Sequence, residues 1–145
     1  MKLLLQFLIC CPLLYPILNA QTLVKGGFAT SSSGDPRALT NVNGTLFFIV
    51  DDGINGTELW KSDGTTIGTT MVKDITTGIV STNFGYEKFT ALNSEIFFSI
   101  NDASFGVELW KSDGTASGTG IVKDINPGVS GSNLYTLIKS NNNLF

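Results

Sequence analysis

The sequence predicts an all-β chain assembled from tandem units, and three observations carry that expectation. The octapeptide ELWKSDGT at 58–65 returns letter for letter at 108–115, a shift of 50 residues; self-similarity at a fixed period is the mark of repeat architecture. Aligning 38–78 with 88–128 without gaps leaves 21 identities in 41 positions. Inside each unit, short apolar runs alternate with Gly, Asn and Asp, and no stretch sustains a 3.6-residue apolar period, so each unit predicts four short antiparallel strands and little helix.

The first strand is expected at Ala38 to Val42, closed by Asn43-Gly44, a dipeptide that accepts the positive φ angles of a two-residue hairpin. The second, Leu46-Phe47-Phe48-Ile49-Val50, is apolar at successive positions. A strand with one solvated face alternates, so this run predicts burial on both faces. Asp51 to Gly56 reads as a polar loop, Glu58 to Lys61 as the third strand and Ser62-Asp63-Gly64-Thr65 as a turn. The fourth strand is expected at Thr70 to Ile75, with Val72 and Asp74 on one face and Lys73 and Ile75 on the other.

The repeat phase divides the chain. Residues 1–20 read as a secretory signal: Lys2 supplies the positive start, Leu3 to Leu14 the apolar run and Ala20 the small residue before cleavage. Pro12 and Pro16 interrupt that run, which is too short for a membrane-spanning helix of about 20 apolar residues, so no transmembrane segment is expected after signal removal. Cys10 and Cys11 suggest lipid modification only weakly, because Leu8-Ile9 lacks the small residues such processing requires. Residues 21–37 form a leading segment in which Leu23-Val24-Lys25 matches the Val-Lys of the later fourth strands. Units follow at 38–87 and 88–135, and 136–145 starts a third that breaks off at Leu144-Phe145.

Composition excludes several functions. The chain of 145 residues has no His, which removes His-based zinc sites, Ser-His-Asp and Cys-His catalysis and imidazole pH switches. Both cysteines lie inside the signal, so the remainder relies on core packing rather than disulfides. Nine basic against 12 acidic residues give a net charge of −3, and the basic ones are scattered, so nucleic acid is not an expected partner.

Four strands at a period near 50 predict β-propeller-like blades, with sheet faces stacked on neighbouring sheets. Closed propellers need about 4 to 8 blades, so some two and a half units form an incomplete ring. The chain is accordingly expected to be a fragment of a larger polypeptide, completed by remaining blades. The pattern ELWKSDGT-x-x-GT, followed by VKDI at 72–75 and 122–125 and by Asn126-Pro127-Gly128, closely resembles the ELW-x-x-DGT repeats of bacterial secreted and cell-surface proteins. The resemblance covers Leu23 to Phe145. It implies an exported propeller-like repeat protein and carries no defined catalytic activity.

The motif residues Glu58, Leu59, Trp60, Asp63, Gly64 and Thr65, with Glu108, Leu109, Trp110, Asp113, Gly114 and Thr115, are therefore expected in structural duty. Asp accepts from amides two residues ahead, Gly supplies the permissive backbone, and a Trp repeated in register beside Leu reads as inter-blade core. Asn43-Gly44-Thr45 and Asn55-Gly56-Thr57 fit the N-glycosylation pattern but read as turns. Calcium is the sharpest chemical alternative: Asp51, Asp52, Asn55 and Glu58 set oxygen donors in a Gly-bearing loop, and Asp102 and Glu108 repeat part of the set. The spacing is not that of an EF-hand, and no other cofactor is implied.

The function expected is an extracellular binding or scaffolding surface for a protein or glycan ligand, with no catalytic residue in these 145 positions. The alternatives are the N-terminal part of a secreted carbohydrate-active hydrolase whose site lies in other blades, and a calcium-binding adhesion repeat. A glycosidase needs two opposed carboxylates, and the carboxylates here recur in repeat-equivalent places. A sialidase grips its substrate with several arginines, and Arg37 is the single one present.

Overall fold

The computed structural model describes residues 34–85, 88–134 and 136–145; the expected signal and the leading strand at Leu23 to Gly26 lie outside them. Strands β1 (Arg37–Val42), β2 (Thr45–Asp51), β3 (Thr57–Ser62) and β4 (Thr70–Lys73) form one antiparallel sheet in chain order. A second follows with the same order: β5 (Thr90–Leu92), β6 (Glu95–Asp102), β7 (Gly106–Ser112) and β8 (Gly120–Lys123). A hairpin of β9 (Lys139–Ser140) and β10 (Asn143–Leu144) starts a third. Among the described residues there is no helix, and no sheet closes on itself.

Local chemistry explains the elements. Asn43 and Gly44 take φ of 52° and 89° between β1 and β2, a conformation whose twist matches the flanking strands; Asn93 and Asn141 repeat the positive φ in the next two hairpins. Phe47, Phe48, Ile49 and Val50 are all buried, as a doubly covered strand requires. The fourth strand is shorter than expected. It ends at Lys73, because the Ile75 amide donates to the Glu58 carboxylate at 2.9 Å instead of to β3. A bulge in the β3–β4 pairing also breaks the expected alternation, so Val72 and Ile75 both join the inter-sheet core.

The two sheets stack through opposite faces. Phe47, Ile49, Leu59 and Val72 of the first meet Ile96, Phe98, Ile100 and Trp110 of the second in one cluster, completed by Phe84 and Phe89. Phe89 lies 5.2 Å from Phe98 between ring centroids and 6.2 Å from Phe84. Burial of each such side chain is worth about 1.5–3 kcal/mol, and main-chain bonds from Asn101 to the Asn83 carbonyl at 2.8 Å and from Gly85 to the Ser99 carbonyl at 3.1 Å add to it, tying the units into one body. Phe48 and Val50 form a separate cluster on the first sheet's other face, with Leu46 and Trp60. The first strands are neighbours: β1 lies beside β5, and β5 beside β9.

Candidate functional site

The repeated octapeptide builds the same turn twice. Asp63 Oδ1 accepts from the Thr65 amide at 2.8 Å and the Thr65 hydroxyl at 2.7 Å; Asp113 and Thr115 reproduce both distances. The Gly68 amide donates to Thr65 Oγ1, and Thr69 Oγ1 donates to the Thr65 carbonyl. A Cβ at Gly68 or Gly118 would overlap the carboxylate of Asp63 or Asp113, so the second glycine of the motif makes room for the turn's acid. Hydrogen bonds from the Thr65 hydroxyl and amide hold the Asp63 carboxyl below its ordinary 3.8, and the Thr115 hydroxyl and amide do so for Asp113.

Between these turns the sheets leave a cleft of about 420 Å³, within reach of Asp63, Asp113, Lys61, Phe47, Asn43 and Ser94. Asn43 Nδ2 donates across it to Ser94 Oγ at 3.2 Å. Lys61 and Gly114, which line the cleft, belong to a joint between the two sheets. Lys61 Nζ donates to the Gly114 carbonyl at 2.7 Å and Lys73 Nζ to the Thr119 carbonyl at 2.8 Å, both from the first sheet to the second sheet's turn. Gly114 has φ of 86°, and a Cβ there would stand 3.1 Å from Phe47 Cζ. The cleft has a size in the range of small-ligand sites and a wall of ionised carboxylates and amides, chemistry suited to a hydroxylated ligand.

The motif's glutamates face inward. Glu58, fully buried, accepts from the Ile75 amide at 2.9 Å, the Thr82 amide at 3.2 Å and the Thr82 hydroxyl at 2.6 Å. Glu108, equally buried, accepts from the Ile125 and Asn126 amides, each at 3.2 Å, and from Ser132 Oγ at 2.9 Å. Each clamps the loop that follows its own fourth strand. Burial pushes the Glu58 carboxyl above 4.5, and its neighbour Asp74 adds to the rise against the hydrogen bonds from Thr82 and Ile75.

The six residues read as calcium donors are distributed among separate duties. Asp51 Oδ1 accepts from the Gly53 amide, and Asp52 accepts from the Ile54 and Asn55 amides and from Asn55 Nδ2 at 2.7–2.8 Å. Burial raises the Asp52 carboxyl, and those bonds outweigh it, so the net shift is downward. Asp102 accepts from the Ser104 and Phe105 amides, while Glu58 and Glu108 serve the clamps. Among the described residues no three acidic side chains converge as a metal-holding group.

Sequence reasoning missed Lys61, Lys73, Thr82 and Ser132. The signal was present, since Lys61/Lys111 and Lys73/Lys123 recur at a shift of 50 and Thr82/Ser132 preserve a hydroxyl; what they touch lies in another unit or loop. Trp110 is buried in the inter-sheet cluster, whereas Trp60 is half-buried beside Phe48. No family model, no curated protein and no solved structure matches the chain.

Proposed function

We propose that the chain is a module of an exported ELW-x-x-DGT repeat protein whose sheets fan out as propeller-type blades and present a rigid surface to an extracellular glycan or protein. The observation that carries this reading is that the motif is consumed by the frame. Its Asp, Thr and second Gly fold the turn, its Glu clamps a loop and its Lys staples the next sheet. The segments that differ between units, such as 53–55 against 103–105 and 66–67 against 116–117, are loops, where recognition on a fixed scaffold resides. Adjacency of β1, β5 and β9 supports the fan, because first strands gather toward one axis in such an arrangement.

Among the described residues the inter-sheet cleft has suitable dimensions, and a hydroxylated ligand such as a glycan suits its carboxylates and amides. A glycan array with the exported protein tests the reading. Saturable binding without turnover, weakened by Asp63→Asn or Asp113→Asn, is the expected result. Hydrolysis of a bound glycan, abolished by the same substitutions, would replace the binding module with a hydrolase.

A further inference from the structure

Among the described residues the second sheet leaves partly open the face that the first sheet buries, with Ser99, in the place of Ile49, still buried beside Gly85. Phe47, Leu59 and Val72 are 2%, 0% and 7% exposed beneath the second sheet. Their repeat equivalents Phe97 and Leu109 are half-buried and Val122 is 45% exposed. The lysines behave in parallel. Lys61 and Lys73 reach turn carbonyls of the second sheet, whereas Lys123 is exposed and Lys111 turns back along its own sheet to Glu95 at 2.8 Å.

We infer that this face, formed by Phe97, Leu109 and Val122 with Lys111 and Lys123, is the docking surface for a third sheet of the same repeat. That sheet's Asp-Gly-Thr turn takes Lys111 and Lys123 on its carbonyls, as Gly114 and Thr119 take Lys61 and Lys73. Charge complementarity favours this occupant, because Lys123, exposed at the edge of the face, needs once covered an acceptor that a purely apolar partner lacks. Position favours it too. The β9–β10 hairpin stands beside β5 as β5 stands beside β1, held there by Thr90 Oγ1 donating to the Leu137 carbonyl at 3.1 Å. A second copy docking with the geometry of the first sheet on the second would have to offer the face of Phe48 and Val50, which are 1% and 0% exposed. The inference rests on the reading as a repeat module and is independent of which ligand the cleft takes.

The test extends the full chain after Phe145, the equivalent of Phe97, by a copy of residues 98–135. A rise in Tm of about 5 °C or more is expected, with slower amide exchange in β7 and β8. Lys123→Met should then lower Tm in the extended chain and leave the original unchanged. An unchanged Tm, an appended segment without exchange protection, or an equal effect of Lys123→Met in both chains would overturn the inference. Concentration-dependent dimerisation of the unextended chain, abolished by Val122→Asp, would overturn the choice of occupant. A negative glycan array leaves all of these outcomes as they are, so the two readings fail separately.

Discussion

Lys61 Nζ donates to the Gly114 carbonyl at 2.7 Å, a bond between residues 53 apart that joins two copies of one octapeptide. The bond is charged and half-buried, and it sits where Gly114 rests on the ring of Phe47. The recurring lysine is thus explained by the neighbouring unit rather than by its own.

Removing that lysine is expected to weaken the joint. Lys61→Met keeps the aliphatic stem and leaves the Gly114 carbonyl without its donor, at a cost of about 1–2 kcal/mol. Lys111→Met deletes a bridge to Glu95 between partly exposed groups and is expected near neutral. Urea denaturation midpoints of the two variants make the comparison.

Gly114→Ala is expected to be the most damaging of three glycine substitutions. It meets both a positive φ of 86° and Phe47 Cζ at 3.1 Å, and a loss of about 2–3 kcal/mol is expected. Gly44→Ala meets the φ strain alone, with nothing within 4 Å, and should cost about 1 kcal/mol. Gly120→Ala has open space and no such strain, so thermal melts should leave it close to the parent.

Glu58→Gln breaks the clamp on 75–82, because an amide cannot accept at both ends from Ile75 and Thr82. A loss of about 1–3 kcal/mol at neutral pH is expected. Burial raises the folded Glu58 carboxyl above its ordinary 4.5, so the native state holds that proton more tightly than the unfolded chain. Its stabilising contribution is complete below 4.5 and is lost as pH rises through the raised value. The stability gap between parent and variant should therefore widen on acidification from neutral pH to about 4.5 and then level.

The two turn aspartates titrate the other way. Hydrogen bonds from Thr65 and Thr115 hold Asp63 and Asp113 below 3.8, so their contribution is present above that value and disappears as pH falls through the lowered one. A double variant, Thr65→Val with Thr115→Val, removes the hydroxyl donors. Its stability deficit against the parent should shrink in acid denaturation below about pH 3.8.

Calcium at millimolar concentration is expected to leave Tm unchanged, because the oxygens of Asp52 and Glu58 already accept from Asn55, Ile75 and Thr82. A rise in Tm that Asp52→Asn abolishes would identify the 51–58 loop as an ion site.

Much of the frame was legible in the residues. Continuous apolarity from Leu46 to Val50 announced a strand covered on both faces, and Asn43-Gly44 announced its hairpin. The Asp63 and Asp113 turns followed from side-chain chemistry within three residues. The candidate site was less legible: the cleft and its lysine joint combine positions about 50 apart, and the loop read for calcium proved to send Glu58 inward.

The sequence by itself determined the local elements: which runs become strands, where they turn and that the unit repeats, because backbone preference and side-chain reach act over a few residues. Only the tertiary structure decided which face of one sheet meets which face of the next. It brought Val72 and Ile75 to the same core through a bulge, set Glu58 against Thr82, and carried Lys61 and Lys73 to carbonyls of another unit. Those partners are chosen by stacking two pleated surfaces, where burial of Phe47 against Gly114 fixes the register that no single repeat specifies.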